Sequence, residues 1–488
     1  MSSWKLPLLA LLAGAAAVLG YAPLALPQLA LLSLVALLAM WCRAASSRQA
    51  ALLGWCWGLG CFLGGVSWVY VSMHDVGGMP APLAAAATLL FCVYLALFPA
   101  LAGWLSFRLA SGHAVGDALL YAAAWTLAEW LRGTLLGGFP WLALGYSQAP
   151  PSPLAGYAPL FGVYGVGYLA VLLSALLLLA RWRGAPAAVL LLLGGAALQQ
   201  VAWTEPLGPP LRVSLLQGNI EQSLKWDAQR IGLSLTTYSR LAREHPAALT
   251  VLPETALPLF LDQLPGAYLD ELTAHGAVLA GVVQRGRDER YFNAAVALQR
   301  EGPHSGYAKR HLVPLGEFVP PGLSWFLTLM RIPMSDFSAG AQRQAPLLLA
   351  GQRIAANICY EDLFGEEVLD ALPEATLLVN LSNTAWFGHS LAQPQHLQIA
   401  QLRALESGRV MLRATNTGMT AMVGPDGVVA AALPPFVAGA LSVEVQGYAG
   451  STPYARWGNA MILGIALVSL LAAWWRLRRQ PRGRAESR

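Results

Sequence analysis

The chain has 488 residues, of which 56% are hydrophobic and only 12% charged, with five cysteines and a formal net charge of +5. Such an apolar excess excludes an ordinary soluble enzyme and a disordered chain, and the length allows more than one domain. The basic total does not point to nucleic acid, because residues 211–450 hold 17 Lys and Arg against 21 Asp and Glu.

Before residue 203 charges almost vanish. Seven stretches, about 6–23, 26–42, 50–73, 82–106, 115–132, 161–180 and 185–202, approach the roughly 20 residues that a helix needs to cross a bilayer, and an eighth covers about 457–475. The first resembles a signal peptide, but a second span follows at once, so a retained helix is expected. Loops carrying Arg43 and Arg48, Arg108, and Arg181 and Arg183 alternate with loops nearly free of Lys and Arg, and the chain ends in RLRRQPRGRAESR. With the N-terminus inside, every basic segment falls on the cytoplasmic side, as the positive-inside bias asks. The expected organisation is a seven-helix membrane domain over 1–205, an extracytoplasmic domain over 206–450, and a last helix with a cytoplasmic tail over 451–488. Glu129 and Arg132 lie at the outer end of the fifth span, where a charged pair is expensive and therefore a functional suspect.

From residue 211 the pattern changes. RVSLLQG, LTVLPE, AVLAGVV, FNAAVALQ, RIAANICYE, TLLVNLSN, RVMLRATN and TAMVGPDG each read as a short strand, and AQRIGLSLTTYSRLAREH and PQHLQIAQLRALESGR read as helices between them. This alternation predicts an α/β domain whose sheet faces are covered by helices. GPDG is a hairpin-type turn near the domain's end. The apolar, proline-bounded stretch PPGLSWFLTLMRIPM at 320–334 suits either core or a loop that dips into lipid and lids a site.

Three predicted strand ends carry distinct chemistry. Glu254 closes LTVLPE, Lys309 follows a strand pair, and Cys359 closes RIAANICYE, at spacings of 55 and 50 residues. Ligands of α/β sheets bind outside the carboxyl ends of strands, so the three can converge. Cys359 has no second cysteine within its domain, which leaves it either a reactive thiol or a small buried hydrophobe. As a nucleophile it would need a general base, a role that suits Glu254. Lys309 would face the oxyanion of a tetrahedral intermediate and would favour thiolate. His311, two residues on, suits a solvated or capping role. No metal-ligand spacing, G-x-S-x-G elbow or phosphate-binding loop is present, so no metal or cofactor is expected.

With their flanks LPET, KRHLVPLGEFVP and ICYED, these three residues resemble the Glu-Lys-Cys triad of the nitrilase, or carbon–nitrogen hydrolase, superfamily. LLQGNIEQSLKWD, NLSNTAWFG, RATNTG and, in the membrane half, AEWLRGTLLGGFPWLALGYSQ narrow the resemblance to the apolipoprotein N-acyltransferases, its membrane-embedded branch. The likeness covers nearly the whole chain. It implies an αββα sandwich carried by about eight transmembrane helices, in a bacterial inner membrane with both termini cytoplasmic and the catalytic domain periplasmic. It also implies a thioester on Cys359, filled from the sn-1 position of a phospholipid such as phosphatidylethanolamine. The acceptor would be the α-amine of a diacylglyceryl-modified N-terminal cysteine. By the same resemblance Glu317 supports Lys309, Tyr360 and Glu361 line the pocket behind the thiol, and Trp226 and Asn383 lie near the site; Asn293 matches less closely. A monomer is expected.

Three other readings stay open on the residues alone. A membrane-tethered amidase or nitrilase would use the same triad with water. A transporter or scaffold would only bind. A histidine-dependent acyltransferase would have only the adjacent His74 and Asp75 to use.

Overall fold

The computed structural model describes residues 4–221, 231–286, 288–300, 304–314, 316–318 and 337–479. Trp226 and the stretch 320–334 lie outside the described residues. The chain forms two compact units, one of Met1–Val69, Pro82–Val201 and Arg456–Arg488, the other of Tyr70–Ala81 and Ala202–Ala455.

The first unit is helical because its segments are apolar on every face, leaving the backbone to satisfy itself internally. Among the described residues, three helices are long and apolar enough to cross a membrane: Ala81–Leu109, Pro153–Leu179 and Ala460–Arg479. A fourth is reached if Ser47–Gly65 and Trp68–Val76, bent by 50° at their junction, count as one span. The other four expected stretches are helical but fall short of that measure. Lys5–Gly20, Pro27–Cys42 and Ala185–Leu198 are too short, and Ala114–Arg132 is diluted by Asp117, Glu129 and Arg132. Gly14 and Gly60 let the first and third helices touch backbone to backbone, since a Cβ at either would lie about 2 Å from a carbonyl oxygen of the other helix.

The suspect pair has a structural task within this unit. Arg132 Nη1 donates to the carbonyls of Phe139 and Trp141, both at 2.6 Å, and Glu129 Oε1 accepts from the Leu144 amide at 2.9 Å. The two side chains, 3.7 Å apart, therefore tie down the irregular segment that follows their helix.

The second unit is a four-layer sandwich, with thirteen strands among the described residues: β1 Thr204–Gln217, β2 Leu249–Val251, β3 Leu257–Phe260, β4 Ala277–Arg285, β5 Tyr291–Leu298, β6 Ser305–Ala308, β7 Leu347–Leu349, β8 Gln352–Ile358, β9 Leu377–Ser382, β10 Met411–Thr415, β11 Ala421–Val423, β12 Val429–Ala432 and β13 Gly439–Gly450. One sheet runs β13-β1-β2-β4-β5-β6, with β3 beside β4, and the other runs β12-β11-β10-β9-β8-β7. The central pairs are parallel and the outer ones antiparallel. Alternate residues of the two sheets, such as Val213, Leu215, Leu249 and Val251 against Leu377, Val379, Leu381 and Leu412, meet in a shared core. The opposite faces take Tyr238, Leu241 and Ala242 of the helix Ile231–Glu244 on one side. On the other they take Leu397, Ala400 and Ala404 of the helix Ala392–Ser407. This is the helix-covered α/β arrangement that the alternating pattern predicts. β9 and β10 are buried on both faces, which is why they read as continuous apolar runs.

Two predicted strand ends are shorter than the pattern suggests. β2 stops at Val251, so Glu254 lies in the following turn, and β8 stops at Ile358, so Cys359 opens the short 3₁₀ turn Cys359–Leu363.

Candidate active site

The parallel strands deliver β2 and β8 with their C-terminal ends presented to the same side of their sheets, and the antiparallel β5–β6 hairpin brings Lys309 back to meet them. Lys309 is anchored through its backbone: its N–H donates to the Asn293 carbonyl at 2.8 Å, and its carbonyl accepts from the Gly340 amide at 2.8 Å. Its side chain is 1% exposed. The ammonium meets Glu254 Oε1 at 3.4 Å and Glu317 Oε2 at 2.8 Å. A buried and a half-buried carboxylate around one cation would leave excess negative charge unbalanced unless other donors share it.

Asn293 is one such donor. Its single amide nitrogen reaches Glu254 Oε1 at 2.7 Å and Glu317 Oε1 at 2.9 Å, bridging the two acids. The other oxygen of Glu254 accepts from the Asn383 backbone N–H at 2.8 Å. Glu317 Oε2 also accepts from the Val313 amide at 2.9 Å. Both carboxylates are thus held in place by neutral donors in addition to the lysine, and the orientation of Glu254 is set from three directions.

Cys359 sits within the electrostatic reach of Glu254, Lys309 and Glu317. Burial raises its thiol pKa well above the usual range, the Glu254 carboxylate raises it further, and Lys309 opposes both without prevailing. Lys309 does favour thiolate, as expected, but burial and Glu254 outweigh it, so the sulfur keeps its proton at rest and a base must remove the proton during attack. Lys309 itself is held firmly cationic, because Glu317 and Glu254 outweigh the effect of its burial.

Cys359 also has a left-handed backbone, φ +53°, as does Thr255 beside Glu254, φ +45°. Such a conformation is uncommon for a residue with a side chain and persists only where the surroundings impose it. Glu361, two residues past the thiol, supplies part of that constraint. Its Oε2 takes the Ile358 amide at 2.7 Å, while Oε1 takes the Tyr307 hydroxyl at 2.9 Å and the Arg310 amide at 2.7 Å. It thereby staples the segment carrying Lys309 to the turn carrying Cys359. Burial raises the Glu361 carboxyl to about 7, against Lys309 and those amide donors, which work to lower it.

Of the residues singled out in sequence, Glu254, Lys309, Glu317 and Cys359 come together, and Asn383 joins them through its backbone and Tyr360 and Glu361 as neighbours of Cys359. Tyr360 is buried with its ring 5.3 Å from that of Phe364. His311 is neither solvated nor a cap: its Nδ1 pairs with the Glu367 carboxylate at 2.8 Å and its ring stacks on Phe364 at 3.6 Å. Spacing alone gives Asn293 little weight. The signal for it is a lone amide in the otherwise apolar run YFNAAVAL, buried where a polar group needs partners.

Taken together, a protonated thiol, an oriented carboxylate and a fixed cation can do nucleophilic acyl chemistry, with Glu254 exchanging the proton and Lys309 facing developing negative charge. Residues 13–176 match the apolipoprotein N-acyltransferase N-terminal domain, and residues 212–454 match the carbon-nitrogen hydrolase domain. The apolipoprotein N-acyltransferase of Nitrosomonas europaea is 46% identical over 476 residues, covering 94% of this chain and 95% of its own length. That of Ralstonia nicotianae is 48% identical over 496 residues, covering 97% and 94%. That of Chromobacterium violaceum is 47% identical over 488 residues, covering 96% and 94%.

Proposed function

Because the chain belongs to the apolipoprotein N-acyltransferase family, we propose that it moves an acyl group from a phospholipid, through a thioester on Cys359, to the N-terminal amine of a diacylated apolipoprotein. The observation that carries the mechanism is Glu254, oriented by Asn293, Lys309 and the Asn383 amide beside a buried thiol that is protonated at rest.

In the first half-reaction Glu254 takes the thiol proton as sulfur attacks the sn-1 ester carbonyl. Lys309 faces the oxyanion, helped by backbone N–H groups near the thiol. Collapse breaks the ester C–O bond, and the proton passes from Glu254 to the leaving alkoxide, giving a lysophospholipid and the thioester. In the second half the incoming neutral amine attacks the thioester carbonyl and Glu254 accepts a proton from it. The C–S bond breaks, and Glu254 returns the proton to sulfur, leaving an amide. Glu317 and Asn293 keep the charges of the site in register through both halves.

The donor is proposed to be phosphatidylethanolamine and the enzyme to act as a monomer. Eight spans, cytoplasmic termini and a periplasmic catalytic domain in an inner membrane are proposed from the placement of the basic loops. Apolar helices in the first unit support a bilayer setting, where both lipid substrates reside. Trp226 is proposed to contact substrate on the strength of the sequence resemblance.

The test is the intact mass of the detergent-purified protein after incubation with phosphatidylethanolamine, beside Cys359→Ala. A hydroxylamine-labile fatty-acyl adduct on the unsubstituted chain alone is expected. Release of free fatty acid without an adduct would replace transfer by hydrolysis, and unmodified protein with unchanged lipid would overturn the mechanism.

A further inference from the structure

Against the turn that Cys359 opens lies a second polar cluster that the reaction above leaves unused. Asp362, His396, Arg413 and Asn380 are each fully buried, at 0% exposure. They come from four separate elements: the 3₁₀ turn that Cys359 opens, the helix Ala392–Ser407, β10 and β9. His396 Nε2 and Asp362 Oδ1 are 2.7 Å apart, and Arg413 Nη2 and His396 Nδ1 are also 2.7 Å apart. Arg413 Nη1 donates to Asp362 Oδ2 at 3.0 Å and to Asn380 Oδ1 at 3.1 Å. Asn380 Nδ2 in turn donates to the carbonyl of Cys359 at 3.1 Å.

The chemistry of these groups assigns their protons. A guanidinium has donors and no acceptor, so His396 Nδ1 must accept from Arg413 and cannot itself carry hydrogen. The ring proton is then on Nε2, where it donates to Asp362. His396 is neutral in this arrangement, and one arginine and one aspartate balance each other around it. Burial and the Arg413 cation both act to keep it so. A Cys-His-Asp grouping could be mistaken for a protease-like triad. Here both imidazole nitrogens are engaged by Arg413 and Asp362, and the acyl-transfer reading takes Glu254 as the thiol's acid–base partner.

We propose that His396, Asp362 and Arg413 form a proton-inert tether that holds the Cys359 backbone in its left-handed conformation, making His396 a positioning residue for acyl transfer. The tether grips the turn at two points, the Asp362 side chain and, through Asn380, the Cys359 carbonyl. A residue with a Cβ keeps φ near +53° only under such multiple constraint. The tether rests on the acyl-transfer reading for its purpose but not for its geometry.

The test compares the full-length protein in detergent with His396→Gln and His396→Ala. Glutamine retains a donor near the Nε2 position, and alanine removes both contacts. Two readouts are taken: single-turnover thioester formation from phosphatidylethanolamine, and the pH profile of Cys359 alkylation by iodoacetamide, read by intact mass. For alanine the expected result is at least a tenfold slower thioester step at saturating lipid, with little change in the lipid concentration for half-maximal rate. Glutamine is expected to recover part of that rate. The alkylation rate should shift at least threefold in alanine, as the turn relaxes, by the same factor at every pH from 6 to 9. Should alanine fail to fold, the glutamine variant carries the same test: a slower thioester step with an unchanged pH dependence of alkylation is expected. Unchanged thioester and alkylation rates in the folded variants, or an altered pH dependence of alkylation, would overturn the tether. Absence of a thioester on the unsubstituted chain would instead count against the acyl-transfer mechanism, and alkylation would still decide the tether.

Discussion

Replacing Glu254 by glutamine should drive two properties of Cys359 in opposite directions. The carboxylate is the largest influence after burial in raising the thiol pKa, while Lys309, which lowers it, would remain, still paired with Glu317 at 2.8 Å. A carboxylate beside a titrating group moves its pKa by about 1–3 units, so losing it should increase the thiolate fraction at pH 8 by about tenfold or more. Alkylation by iodoacetamide should accelerate correspondingly. Acyl transfer should fall by about 10²–10⁴-fold, because no group remains to move protons between sulfur, alkoxide and amine.

The structural penalty of this substitution can be bounded. If the glutamine oxygen keeps Asn293 and Lys309, its NH₂ is turned toward the Asn383 N–H, leaving a donor facing a donor. That loss costs about 1–3 kcal/mol, too little to unfold a protein of this size by itself. Alkylation is followed by intact mass across pH 6–9 and transfer by the acyl adduct and its discharge to a diacylated peptide. If both rates drop together, Glu254 would not be what keeps the thiol protonated, and the resting state deduced above would be wrong.

Two further substitutions probe the same site. Asn293→Ala removes the bridge between Glu254 and Glu317 and leaves two acids sharing one lysine. It should lower stability by about 1–3 kcal/mol in thermal unfolding and slow transfer more than tenfold, and wild-type turnover would show that the bridge is dispensable. For Glu361 the sign follows from a folded-state pKa raised to about 7. Its neutral form is favoured by the fold, so that stability is fully present below the ordinary carboxylate pKa and is lost as pH rises through about 7. Glu361→Gln should flatten the decline in melting temperature between about pH 4.5 and pH 8, a difference of up to about 3 kcal/mol. Parallel profiles for the two proteins would mean that Glu361 ionises freely in place.

What could be read from sequence was what depends on near neighbours along the chain. Apolar runs before residue 203 announce helices for an apolar medium, because a helix satisfies its own backbone and needs no distant partner. Eight of the thirteen strands among the described residues are likewise visible, since each places β-forming residues in one short run. β13 and the outer part of β1 were not. Their glycines and prolines argue against a strand, and only mutual antiparallel pairing from Thr204↔Gly450 to Gln217↔Gly439 makes them one. The number of membrane-crossing helices is less legible than their existence, because composition does not show where a span ends or breaks, as at the 50° bend after Gly65.

At the site, side-chain chemistry alone singled out Glu254, Lys309 and Cys359, since a thiol, a base and a cation at three predicted strand ends form a usable set. Their protonation could not be read that way. It depends on how deeply the thiol is buried and on which charge wins, and Glu254 with burial outweighs Lys309. Nor could the partners be read. Asn293 lies 39 residues from Glu254 in the chain, Asn383 lies 129 away, and Asp362 and Arg413 are separated by 51. Sequence by itself determined which groups and which elements this protein has. The order of strands in two packed sheets decided which of those groups meet, because hydrogen bonds and buried charges act over a few ångströms and only the tertiary fold brings such distant residues that close.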